Sequence, residues 1–275
     1  MSTPAPTTIE RLRPTSAPRA RSNRVIHQFR YELLSFLRNR QGVFFTIALP
    51  VMFLLIFASV FGHGTVRVPG GTLHVAIYYV PSIMAMGIIS ASFGNLAAAV
   101  VGAREAGIYK RRRATPVSAA VLIAGRALVA VTVAVATTGI LLAIGRLYGA
   151  SLPAHALPVL ALDVVVGSLA FCCLGFALAS VLSSRDSVQP AVMFITLPLY
   201  FISGIYVASS LLPQWLLSVA GVFPVRHLAT ALLAVYNPHA AAAGVRWGDL
   251  AVLAAWGAFG LVVALRRFSW VPRGR

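Results

Sequence analysis

The sequence predicts an all-α integral membrane protein: six transmembrane helices, an N-terminal interfacial helix, and a re-entrant outer hairpin between spans five and six. Three observations predict it. The 275 residues are 59% apolar and only 11% charged, whereas a soluble domain carries about 25% charged residues. Apolar runs recur at lengths near the 20 helical residues that a hydrocarbon core of about 30 Å requires. The basic residues gather between alternate runs and at both termini, where the positive-inside rule puts them.

The elements follow in chain order. Residues 1–23 are rich in Pro, Ser, Thr and Arg without apolar periodicity, the composition of a disordered basic tail. No cleavable signal is apparent, because the first sufficiently long apolar run begins at Val43. Over Arg24–Arg40, Val25, Ile26, Phe29, Leu33, Phe36 and Leu37 share one helical face, with Arg24, Gln28, Ser35, Arg38 and Asn39 on the other. This predicts an amphipathic helix in the inner interface, with a short cytosolic helix packed on a partner as the alternative.

The membrane-spanning body covers 24–267. Its runs are Val43–Phe61 with a kink expected at Pro50, Val80–Val101, Ala119–Gly145, Leu157–Leu182, a fifth from near Pro190 to near Val207, and Leu250–Leu265. Between Val207 and Asp249 lies LLPQWLLSVAGVF, too apolar for a plain loop and too short to span. Bracketed by Pro213 and Pro224, it reads as a hairpin dipping in from the outer face. A short basic tail, 268–275, closes the chain.

The net charge of +17 raises nucleic acid as a partner, but the placement of the cations excludes it. Eighteen fall at the termini or in links on one side and four (Arg67, Arg146, Arg226, Arg246) on the other, with Arg126 near the end of a span. Both termini are therefore expected in the cytoplasm. Lys110 is the only lysine, lying between Tyr109 and Arg111. A phosphate-binding Gly-x4-Gly-Lys-Ser/Thr loop is thus excluded. If ATP drives this protein, another chain hydrolyses it.

Enzymatic readings find little support. Ser203-Gly204 in a membrane segment with His227 downstream suggests an intramembrane protease, but Phe201 stands where the serine type needs glycine. No carboxylate pair or His-x3-His spacing occurs within a span, so no catalytic or metal site is expected. Cys172 and Cys173 read as core packing. Asp163 is the one carboxylate well inside a run; it either lines a translocation path or is a hydrogen-bonded structural group near Arg146. Small residues such as Gly87, Gly94, Gly167 and Gly175 permit close helix approach.

Three ordered segments carry a family resemblance. Phe29–Phe53 pairs an entry helix with a Pro-containing first span. Arg104–Ser118 holds Glu105, Gly107, Arg111, Thr115 and Pro116 in an acidic-Gly-basic-Thr-Pro pattern. Leu197–Leu228 supplies Pro198, Ser203, Gly204, Pro213, Trp215 and Pro224. Together they resemble the type-2 ABC transporter permease family, especially its daunorubicin-resistance-like members in actinobacteria; Arg112 and Arg113 make this loop more basic than many relatives.

The resemblance implies a permease in the bacterial plasma membrane, working as a homodimer with a separate ABC ATP-binding subunit that carries ATP and Mg, and no cofactor on this chain. It implies export of an amphipathic compound such as an antibiotic, with a lipid-linked or polysaccharide substrate as the alternative. A stand-alone secondary carrier is the rival from another class, disfavoured because the spans lack deep acidic or histidine relays beyond Asp163. Arg104–Pro116 then becomes a cytoplasmic coupling helix, bounded by Gly102 and Pro116, with Glu105 near its start. Ser203 and Gly204 join Asp163 as pathway candidates.

Overall fold

In the computed structural model, residues 18–62, 64–107, 119–237 and 245–267 are described. Most of the fold is helical. Helix α1 covers Pro18–Arg38; α2, Arg40–Phe61; α3, Val75–Glu105; α4, Ala119–Leu147; α5, Leu157–Val181; α6, Val188–Ile202. Helices α7, Gln214–Ala220, and α8, Pro224–Tyr236, form a pair bent by 102°. Helix α9, Trp247–Arg267, completes the set. Among the described residues, five helices (α2, α3, α4, α5 and α9) are long and apolar enough to cross a membrane, or six if the bent α7–α8 pair is one span.

Helix α3 is the centre of the bundle and the most enclosed of the five. Val80, Ile83, Met84, Ile88, Ala97 and Val100 are inaccessible, and the helix packs on α2, α4, α5 and α8. An all-round apolar sequence suits a helix enclosed on every side. Its 31 residues rise about 46 Å at 1.5 Å per residue. Peripheral helices instead expose large apolar side chains, among them Phe194, Phe259 and Leu265, as a lipid-facing surface requires.

Glycines set the closest approaches. A Cβ on Gly260 of α9 would stand 2.8 Å from the Leu174 amide nitrogen, and one on Gly175 would stand 2.9 Å from the Ser92 carbonyl oxygen. Helix α5 is thereby clasped between α9 and α3, the small-residue packing that membrane helices rely on.

Several boundaries depart from the sequence expectation. Helix α1 begins at Pro18, so 18–23 are helical rather than tail; proline is well suited to a first helical turn, where its missing N–H has no partner anyway. The remaining tail residues, 1–17 and 268–275, lie outside the described residues. The apolar face of α1 divides. Phe29, Leu33 and Phe36 pack inward, while Ile26 and Leu37 are exposed with Tyr31 and Leu34. Gln28, expected on the polar face, is buried because it donates to Glu32 at 2.7 Å, which in turn pairs with Arg126 of α4 at 3.3 Å.

Pro50 lies in the first turn of the Leu49–Phe61 part of α2. A wider π-helical turn, Phe44–Ala48, precedes it within α2, and such a turn takes up the missing i→i−4 bond that proline imposes. The fifth expected span is shorter than anticipated. Helix α6 has 15 residues, about 22 Å, and ends at Ser203, where Gly204 adopts φ +88°. A β-hairpin joins α2 to α3, pairing β1 (Thr65–Val68) with β2 (Gly71–His74) in antiparallel register. Pro69 and Gly70 (φ +90°) make its turn, the residue types a type II turn favours at its two central positions. The apolar stretch expected to re-enter the membrane forms the sharply bent α7–α8 pair.

Candidate functional site

The ends of α1 and α3, the first part of α4 and the α5–α6 link bring Arg38, Arg104, Arg126 and Arg185 to one end of the bundle. Arg104, in the last turn of α3, is 1% exposed. Its Nη1 donates to the Ala179 carbonyl at 2.9 Å and its Nη2 to the Leu182 carbonyl. These carbonyls lie at the C-terminus of α5, where helices leave acceptors unpaired and their dipole favours a cation. Burying a guanidinium is costly without such partners.

Glu105 belongs to the same helix end. Its Oε2 accepts the Arg185 backbone N–H at 3.0 Å, tying α3 to the α5–α6 link. This corrects the expected short helix bounded by Gly102: residues 102–105 are the last turn of α3, and Glu105 stands at a helix C-terminus rather than near a start. No breaker interrupts the Ala/Val-rich run before Gly107, whose φ of +66° ends the helix. Gly102 stays helical beneath Arg185, whose Cδ lies 3.3 Å from where a Cβ would be. Arg111, Thr115 and Pro116, with Lys110, Arg112 and Arg113, lie outside the described residues.

The pathway candidates are not brought together. Asp163 is 1% exposed within α5 and its Oδ1 has no hydrogen-bond partner; among the described residues no ion pair links it to Arg146. Ser203 and Gly204 form a structural turn. The Gly204 carbonyl accepts from Tyr78 Oη at 2.6 Å and Ser82 Oγ at 3.4 Å, and a Cβ at Gly204 would meet Ser209 Oγ at 2.5 Å. None of the three lines either cavity described next.

A cavity of about 300 Å³ opens between α2, α3 and α6. Asn39, Gln41, Asn95, Arg185, Asp186 and Gln189 line its polar end; Leu49, Met86, Met193, Leu197, Tyr200 and Tyr206 line its far part. From Gln189 to Tyr200 the wall runs about 16 Å along α6. Two π-helical segments contribute to it: Phe45 and Thr46 from the turn in α2, and Ser90, Gly94 and Asn95 from Ser90–Asn95 in α3. Such segments recur at functional sites because they turn backbone and side chains out of helical register. The residues escaped the sequence reading. Their available signal was the small and polar run Ser90–Asn95 inside an apolar span.

A second cavity of about 480 Å³ adjoins the first, sharing Asn39, Asn95, Ala98 and Arg185, and reaches beneath α1 to Glu32, Arg38 and Arg126.

The bundle of membrane-length helices, with its basic end and its mixed cavity, agrees with the family comparison. The ABC-2 type transporter family matches residues 25–237. The chain belongs to that family. None of the curated proteins matches the sequence significantly. As an ABC-2 membrane domain, the chain is a multi-pass permease subunit of an ABC transporter, and the matched region contains α1 from Val25, both cavities and the bent pair. In this ABC-2 domain both cavities are lined by Arg185, whose backbone N–H ties the α5–α6 link to Glu105 of α3.

Proposed function

We propose that this permease exports an amphipathic compound, such as an antibiotic or other drug, using ATP hydrolysed by a separate ABC subunit. The 300 Å³ cavity is the observation that carries the reading. Its lining passes from amides and charges to thioether and aromatic side chains, matching a molecule with a polar head and a greasy body. The count of basic residues supports both termini in the cytoplasm, which puts the polar mouth inward and makes uptake from the cytoplasm or inner leaflet the first step. With that orientation α6 and the bent α7–α8 pair serve as the fifth span and an outer re-entrant element.

Energy enters at 104–116. A second permease copy and two ATPase subunits complete the transporter. Closure of the ATPases acts on the residues after Gly107, and the Glu105–Arg185 contact passes that movement to the α5–α6 link, one wall of the cavity.

The test is co-purification with candidate ATPases and reconstitution in liposomes. Amphipathic drugs are expected to stimulate ATP hydrolysis and to accumulate on the far side. Thr196→Trp, filling the cavity, is expected to abolish the stimulation. A complex that hydrolyses ATP but neither responds to nor moves any amphiphile overturns the reading.

A further inference from the structure

We propose that the 480 Å³ cavity binds the phosphate of an anionic bilayer lipid between Arg38 and Arg185. This assignment does not depend on the export reading. Three guanidiniums (Arg38, Arg126, Arg185) and one carboxylate (Glu32) line the cavity. Glu32 is already engaged: it pairs with Arg126 at 3.3 Å and accepts from Gln28 at 2.7 Å. Glu105 takes the Arg185 backbone N–H and leaves the guanidinium alone. Among the described residues neither the Arg38 nor the Arg185 side chain has an acceptor. The cavity thus holds uncompensated positive charge, and guanidinium pairs bind phosphate oxygens through charge-assisted, two-pronged hydrogen bonds.

Placement favours a lipid over a soluble anion. Helix α1 roofs the cavity and exposes Ile26, Tyr31, Leu34 and Leu37, so its outer side is suited to the boundary between headgroups and acyl chains. A basic pocket between helices at that depth is suited to an anionic headgroup. The aliphatic stem of Arg185 lies across Gly102, keeping its charged end at the junction of the two cavities.

The experiment uses the purified full chain exchanged into mixed micelles of dioleoyl phosphatidylglycerol and dioleoyl phosphatidylcholine, with retained lipid counted by native mass spectrometry. Wild type is expected to retain phosphatidylglycerol preferentially. Arg38→Gln with Arg185→Gln is expected to lower that preference by roughly thirtyfold, while Arg67→Gln, on the hairpin at the opposite end, leaves it unchanged. Millimolar inorganic phosphate is expected not to displace the lipid. Equal retention of the two lipids by wild type, or an unaltered preference in the double variant, overturns the site. Displacement by inorganic phosphate overturns the lipid as its occupant. If the double variant does not fold, wild type is photo-crosslinked with a phosphatidylglycerol probe. Adducts are expected within 26–39 or 181–189, and adducts confined elsewhere refute the site. An export assay run alongside keeps the two proposals separate: lipid retention without drug export rejects only the exporter reading.

Discussion

Arg104 Nη1 donates to the Ala179 carbonyl at 2.9 Å across 75 positions of sequence, so the arginine ending one membrane helix caps the C-terminus of another. A residue that reads as one more member of a basic loop is a buried structural group.

Arg104→Ala therefore acts on the fold. Removing the side chain strands the Ala179 and Leu182 carbonyls, each unpaired buried acceptor costing about 1–3 kcal/mol. Thermal unfolding in detergent is expected to show a lowered melting temperature, with Arg104→Lys recovering part of it. An unchanged melting temperature for Arg104→Ala rules out the cap.

Glu105 and Arg104 separate in their consequences. Glu105→Lys loses the acceptor for the Arg185 amide but leaves the buried cap intact. It is expected to reduce transport and ATPase pull-down severalfold at nearly unchanged thermal stability. Full transport and full pull-down would count against the α3–link contact as part of the coupling route.

Gly260→Leu and Gly139→Ala should behave oppositely. Any Cβ at Gly260 lies 2.8 Å from Leu174 N, whereas one at Gly139 meets nothing within 4 Å. The first is expected to abolish accumulation of folded protein. The second is expected to be neutral or to stabilise by up to about 1 kcal/mol, the helix-propensity gain of alanine over glycine. Expression yield and melting temperature check both.

Asp163→Asn tests the remaining pathway candidate. The carboxylate is buried, has an unpartnered Oδ1, and lines neither cavity. A neutral amide is less costly to bury than a charge, so transport is expected unchanged and the melting temperature equal or higher. A tenfold loss of transport in a stable variant places Asp163 on the substrate path after all.

At the opposite end, Asp249 of α9 joins His227 of α8 at 2.6 Å and also pairs with Arg246, while His227 Nε2 meets the Gly221 carbonyl at 2.8 Å. Asp249→Ala removes the shared acceptor and unpins the bent pair from the last span. A fall in melting temperature is expected, reproduced in direction by His227→Ala. If both substitutions leave it unmoved, the contact does not hold the pair.

Membrane character, the positions of the long helices and the family likeness were all determined by the sequence itself. Each rests on local composition or on a pattern of adjacent residues, and hydropathy over about 20 residues suffices for a span. Tertiary structure decided what individual polar residues do. Gln28 and Arg104 sit in basic or amphipathic stretches, yet both are buried, Gln28 against Gly125 of α4 and Arg104 on the carbonyls that end α5. The two cavities likewise draw their walls from α1, α2, α3, α4 and α6, and no single run of residues records which side chains will converge. The π-helical turns show the boundary between the two kinds of information. Pro50 announces a local departure from the α-helix, but the wall that Thr46 and Asn95 build together exists only once α2 and α3 are packed side by side.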